Sequence, residues 1–159
     1  MTSNPYAAPG TPLENSHSAA DGPHYLGFWP RLAASIVDNL LLMLVTWPLL
    51  LLIYGFSYLE QQSVVAGPAD ALISWVLPAV IIIVLWRRIQ STPGKLMFRA
   101  RVVDADSGQP ASTGRYVLRY LGYILSAIPL GLGFIWVAFD KRKQGWHDKM
   151  ANTVVVQRR

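Results

Sequence analysis

Leu40-Leu41-Leu42-Met43-Leu44-Val45-Thr46-Trp47-Pro48-Leu49-Leu50-Leu51-Leu52-Ile53 decides the fold class of this chain. Only one Thr and one Pro interrupt its apolar side chains. With its flanks, from Phe28 to Tyr54, the stretch is long enough to cross the roughly 30 Å of hydrocarbon in a bilayer. Phe28 and Trp29 at one end and Tyr54 and Tyr58 at the other stand where interfacial aromatics belong. Pro48 is tolerable inside such a helix, because neighbouring helices can satisfy the carbonyl it leaves unpaired.

A second apolar stretch, about 71–86, follows the polar linker Glu60 to Asp70 and stops at Arg87-Arg88. It is short for a span, so tilt or local thinning has to accommodate it. The linker between the two stretches carries no Lys or Arg, whereas Arg87, Arg88, Lys95, Arg99, Arg101, Arg115 and Arg119 crowd the segment beyond. Basic loops stay in the cytoplasm. The expected arrangement is a transmembrane helical hairpin with a cytoplasmic N-terminus and an outward-facing linker, multi-pass in a bacterial inner membrane.

The third apolar segment, about 115–139, has two readings. A full crossing would send the basic tail Lys141, Arg142, Lys143, Lys149, Arg158 and Arg159 outside. The turn-prone centre Pro129-Leu130-Gly131-Leu132-Gly133 instead allows a re-entrant or short hairpin that returns the tail to the cytoplasm. Phe98 to Asp104 and Thr153 to Gln157 are strand-like runs that satisfy their backbones by pairing with each other, which favours the return. The expected class is an all-α membrane protein with one small cytoplasmic two-strand pairing.

Composition agrees with this class. The 159 residues are 52% hydrophobic and 14% charged, and all six Trp lie between Trp29 and Trp146. Residues 1–25 are rich in Pro, Ser, Ala, Asn and Gly and read as a disordered cytoplasmic tail. They lack the basic start, apolar run and cleavage site of a secretory signal. The chain has no cysteine and a net charge of +5. Because the basic residues flank apolar segments, the expected partners are membrane lipids with anionic headgroups, not nucleic acid.

Asp38 is the residue most suggestive of chemistry. Counting about 1.5 Å per residue from Trp29 puts it roughly 13 Å below the interface. A carboxylate there costs on the order of 3 kcal/mol unless paired, solvated or protonated. Arg31, two turns earlier on the same face, is about 10 Å away, too far for direct contact unless its long side chain or a water shortens the gap, and Ala33, Ala34 and Ser35 leave room for another helix. Asp38 reads either as a proton or cation site or as a buried polar tie between helices. Arg31 reads as a partner or as a phosphate anchor, and Asn39 as a second polar handle.

Two further clusters complete the candidates. Ser91-Thr92-Pro93-Gly94-Lys95 is a tight turn whose Lys95 is expected to face headgroups; it lacks the pattern of a nucleotide-binding loop. In Asp140-Lys141-Arg142-Lys143-Gln144-Gly145-Trp146-His147-Asp148-Lys149, the plain reading is a solvated basic loop. The sharper one buries Asp148 against Arg31 or another Arg and lets His147 titrate near neutral pH. His17 and His24 lie in or near the tail. No metal site, cofactor loop or nucleophile and base arrangement is visible, so neither a cofactor nor enzymatic activity is expected.

These motifs resemble the RDD family of small bacterial membrane proteins, named for one Arg and two Asp. The resemblance rests on Gly27 to Asp38, Thr92-Pro93-Gly94-Lys95, Arg101-Val102-Val103-Asp104, and Gln144 to Lys149 with Thr153-Val154-Val155. It implies that Arg31 is the family's Arg, Asp38 its first Asp and Asp148 its second, with Asp140 the weaker claimant. The family has no settled function. Cation/proton antiport, proposed for some members, implies transport through these charges and then a homo-oligomer; the alternative is a structural or accessory protein whose charges clasp helices.

Overall fold

The computed structural model describes residues 22–61 and 63–158. Most of the expected tail, including Tyr6 and His17, therefore lies outside the described residues.

Helix α1 spans Phe28–Tyr54 without a break at Pro48. A short 3-10 turn, Phe56–Glu60, leads to α2, Pro68–Ala71, which continues through a π-helical turn, Leu72–Val76, into α3, Leu77–Ile89. The second apolar helix is thus longer than its hydropathy suggests. Pro68 starts it, since proline suits a first helical turn where its missing N–H would be free anyway. Arg87 and Arg88 occupy its last turn, where cations meet the negative end of the helix dipole. These two long apolar helices have the length and composition to cross a membrane.

Asp70 pins the linker to the start of the second helix. Its carboxylate accepts hydrogen bonds from Tyr58 Oη at 3.0 Å, Ser74 Oγ at 2.6 Å and the Ala66 N–H at 2.7 Å, while its own N–H donates to Tyr54 Oη at 3.1 Å. Tyr54 and Tyr58, expected as interfacial aromatics, are also the ring pair that stacks beside it.

After Gln90, in the left-handed region, the chain forms α4, Pro93–Met97, and then β1, Ala100–Asp104. Helix α5, Thr113–Ala127, is capped by Ser112 Oγ, which accepts from the Arg115 N–H. It is followed by α6, Leu132–Ile135, and a 3-10 turn, Trp136–Ala138. The third apolar segment bends by 114° between its two halves. Gly131 at φ +77° provides the left-handed residue this turn requires. Beyond the bend, Arg142 Nη2 donates to the Ala105 carbonyl at 3.0 Å, so the chain has returned to the end of β1.

Helix α7, Trp146–Met150, packs on α5 and leads into β2, Thr153–Gln157. Strands β1 and β2 are antiparallel, with Val102 opposite Val155. Tyr25 extends the pairing through an isolated bridge to Val156, and the Leu26 N–H donates to the Val155 carbonyl at 3.0 Å. Beneath the sheet, Leu26, Trp86, Ala100, Val102, Tyr116 and Val155 form the main buried apolar cluster. The strand-like run from Phe98 starts later than expected, because Phe98 ends α4 and Arg99 takes a positive φ before β1 begins.

Candidate functional site: a carboxylate between two guanidiniums

Asp148 is the third residue of α7, where its side chain can reach back to the free N–H groups at the helix start. Its Oδ2 accepts the Gly145 N–H at 3.0 Å. The same oxygen meets Arg31 Nη1 from α1 at 2.5 Å, and Oδ1 meets Arg119 Nη1 from α5 at 2.5 Å. Asp148 is 0% exposed. One carboxylate thus ties together three helices far apart in the chain.

Each arginine is held by a second acceptor. Arg31 Nε donates to the Leu26 carbonyl at 2.9 Å, and Arg119 Nη1 donates to Thr153 Oγ1 at 2.8 Å. Arg119 also lies 5.1 Å from the centre of the Trp86 ring, within the range of a cation–π contact. Burial alone would raise the Asp148 carboxyl, but Arg119 and then Arg31 outweigh it and hold the group far below the usual carboxylate range.

In the sequence Arg119 stands out only as one of the basic residues that set the topology. Its signal was present: on α5 the buried positions are Tyr116, Arg119, Gly122 and Ser126. That spacing is one helix face, and an Arg among aromatic and small residues there demands a buried anion.

His147 does not titrate near neutral pH as expected. It is buried beside Tyr123, whose ring centre is 4.5 Å away, and Phe134, at 5.2 Å, with Nδ1 3.3 Å from Ser126 Oγ. Desolvation dominates the attraction of Asp148 and pushes its pKa down to about 3. The folded state therefore keeps a neutral imidazole where the unfolded chain takes up a proton below about pH 6.5. Stability from this group is present above that pH and is lost as the pH falls towards 3, by roughly 1 kcal/mol per pH unit. Melting curves in detergent at pH 7 and pH 5 should show that loss in the wild type. His147→Gln should flatten it, and an unchanged slope in this variant would place the acid sensitivity elsewhere.

Asp38 forms a separate contact. Thr92 Oγ1 donates to its Oδ2 at 2.5 Å and the Gly94 N–H to its Oδ1 at 2.7 Å. Arg31 is not its partner, and among the described residues no ion pair includes Asp38. Asp38 thus stands beside the turn that follows the second apolar helix. The close fit comes from Gly94, whose absent Cβ would lie 2.1 Å from the Ala34 carbonyl oxygen.

Lys95 does not face headgroups. It is 6% exposed, with Nζ 3.5 Å from Thr92 Oγ1 and 5.7 Å from the Trp86 ring centre. Packing α4 against α1 turns this side chain inward. Asn39 is exposed, with Nδ2 donating to the Ser35 carbonyl of its own helix at 2.8 Å.

Asp140 organises the loop before α7. It accepts the Arg142 and Gln144 N–H groups at 3.0 and 3.1 Å and pairs with Lys149 at 2.5 Å. Burial would raise its carboxyl, yet Lys149 and the two amides leave it below the ordinary value. His24 is exposed and belongs to neither cluster. No group of three or more His, Asp or Glu able to hold a metal occurs among the described residues.

Two long apolar helices, a bent apolar hairpin and a small sheet joined by buried charges define the class: a helical protein suited to a membrane. The chain belongs to the RDD family, which matches residues 25–152. It is similar to the uncharacterized protein YxaI of Bacillus subtilis, 30% identical over 82% of this chain and 95% of that one. It also resembles the proline-rich antigen homolog of Mycobacterium tuberculosis, 35% identical over 43% of this chain and 28% of that protein. The chain therefore spans under a third of that longer relative. No solved structure matches it.

Proposed function

We propose that this protein is an accessory module of the bacterial inner membrane, not an enzyme, in which the Arg31, Asp148 and Arg119 clasp holds the strand-bearing end rigid for contact with lipid or a protein partner. The supporting observation is the Asp148 carboxylate, fully buried and engaged by two guanidiniums and a backbone N–H. A carboxylate so held keeps its charge and has no reason to exchange a proton or release a cation during work. Excess basic residues around this end favour its cytoplasmic side, with the N-terminus. The bend in the third apolar segment then makes it a re-entrant or interfacial hairpin.

A second reading, cation/proton transport by a homo-oligomer, draws on Asp38. Its half-buried carboxylate is bound directly by two neutral donors and, among the described residues, by no ion pair. Proteoliposomes with a pH-sensitive dye and an imposed sodium or potassium gradient separate the two. Under the accessory reading, proton movement equals that of empty vesicles. Cation-driven proton flux that disappears in Asp38→Asn would replace that reading with transport.

A further inference from the structure

Arg87 and Arg88 end the second apolar helix, are exposed, and take part in no ion pair among the described residues. Val84 lies three and four residues earlier, on the same face of that helix. These three residues line an open cleft of about 290 Å³. Its chemistry is two-ended: two forked, permanently charged donors at the helix end, and an apolar wall one turn deeper.

We infer that this cleft is a binding site for an anionic phospholipid, with the phosphate on Arg87 and Arg88 and the first acyl methylenes against Val84. Arg is suited to this because its planar fork can grip a phosphate through two parallel hydrogen bonds. Inorganic phosphate would use the guanidiniums but leave the apolar wall wet, so a lipid fits the whole cleft and a free anion only half of it. Surrounding charge adds to the attraction. The Val102 N–H donates to the Gln90 carbonyl at 2.6 Å, so β1 and its Arg101 are tied to the end of this helix. The Arg158 N–H donates to the Arg99 carbonyl at 2.8 Å, which brings two more basic residues to the same sheet. Arg99, Arg101 and Arg158 likewise enter no ion pair among the described residues.

The site rests on the membrane reading but not on the clasp, because Arg87 and Arg88 touch neither Asp148 nor Asp38. The test uses purified full-length protein in detergent, titrated with phosphatidylglycerol, with phosphatidylcholine, and with inorganic phosphate, and read by native mass spectrometry and melting temperature. Phosphatidylglycerol is expected to bind and raise the melting temperature. Phosphatidylcholine and millimolar phosphate should do neither. R87Q/R88Q is expected to weaken phosphatidylglycerol binding by about tenfold or more while melting within a few degrees of the wild type without lipid, since both side chains are exposed and lose only their modest interaction with the helix dipole. Val84→Asn should weaken lipid binding in the same direction. Equal binding of the two lipids by the wild type, or wild-type affinity in R87Q/R88Q, would overturn the site. Displacement of the lipid by phosphate alone would overturn the role of Val84. Proton flux in the vesicle assay above would leave every one of these outcomes unchanged.

Discussion

Asp148→Asn is expected to remove most of the folded protein from detergent extracts. The substitution keeps the shape of the side chain and deletes its charge, which strands Arg31 and Arg119 in the interior without an anion. Breaking a buried ion pair from one side costs about 3 to 5 kcal/mol, a large fraction of the stability of a small domain. Size-exclusion profiles of extracted protein and melting temperatures measure the loss. Asp106→Asn, on an exposed side chain that accepts from Asn152, serves as the control and should melt within a few degrees of the wild type. Where Asp148→Asn is too unstable to purify, Arg119→Met combined with it should recover part of the yield, because the pair shares one interaction and their costs do not add. Full stability of Asp148→Asn would mean that the clasp does not hold α7 in place.

Gly94→Ala is expected to have the second largest effect, through sterics instead of charge. A Cβ at this position would meet the Ala34 carbonyl oxygen at 2.1 Å and its carbon at 2.9 Å. Backbone cannot swing aside as a side chain can, so α4 must move away from α1. That displacement breaks the Gly94 N–H bond to Asp38 as well. Overpacking typically costs about 1 to 3 kcal/mol, and an abandoned carboxylate adds on the order of 1 to 3 kcal/mol. Gly114→Ala is the comparison: nothing lies within 4 Å of its added Cβ, and alanine is the better helix former. The expected melting order is Gly114→Ala at or above the wild type, with Gly94→Ala far below. Similar melting of the two variants would remove the close approach of α1 and α4 from the account of stability.

Both effects depend on contacts that hydropathy does not encode. The apolar run Leu40 to Ile53 identified a long helix because a backbone in hydrocarbon must satisfy its own hydrogen bonds. The β-branched runs around Val102 and Val155 marked the two strands, whose antiparallel pairing matches the expected return of the chain. The second helix is longer than its apolar run because its first turn, Pro68–Ala71, grows out of the polar linker and is tied there by the bonds that Asp70 makes to Tyr58, Ser74 and Ala66. Lys95 departs from its expected place for a related reason. A Lys after a Pro-Gly turn near an apolar segment is ordinarily solvated, and only the docking of α4 on α1 turns it inward.

The charges divide in the same way. That Asp38 needed compensation followed from its apolar neighbours alone, but the supply of that compensation by Thr92 and Gly94 in place of Arg31 did not. His147 shows the limit for titration, since its ordinary pKa says nothing about the burial between Tyr123 and Phe134 that forces it to stay neutral.

By itself the amino-acid sequence determined that two apolar helices exist and that Asp38 requires compensation, and it offered a turn at Pro129 to Gly133 and a buried Asp148 each as one of two readings. These are local consequences of apolar length, turn chemistry and the cost of an uncompensated charge. Only the tertiary structure decided which partners the charges meet. Arg31 and Asp148 stand 117 residues apart, and a pairing across that distance depends on how helices pack, because a buried charge selects its counter-ion by proximity in space and not by order along the chain.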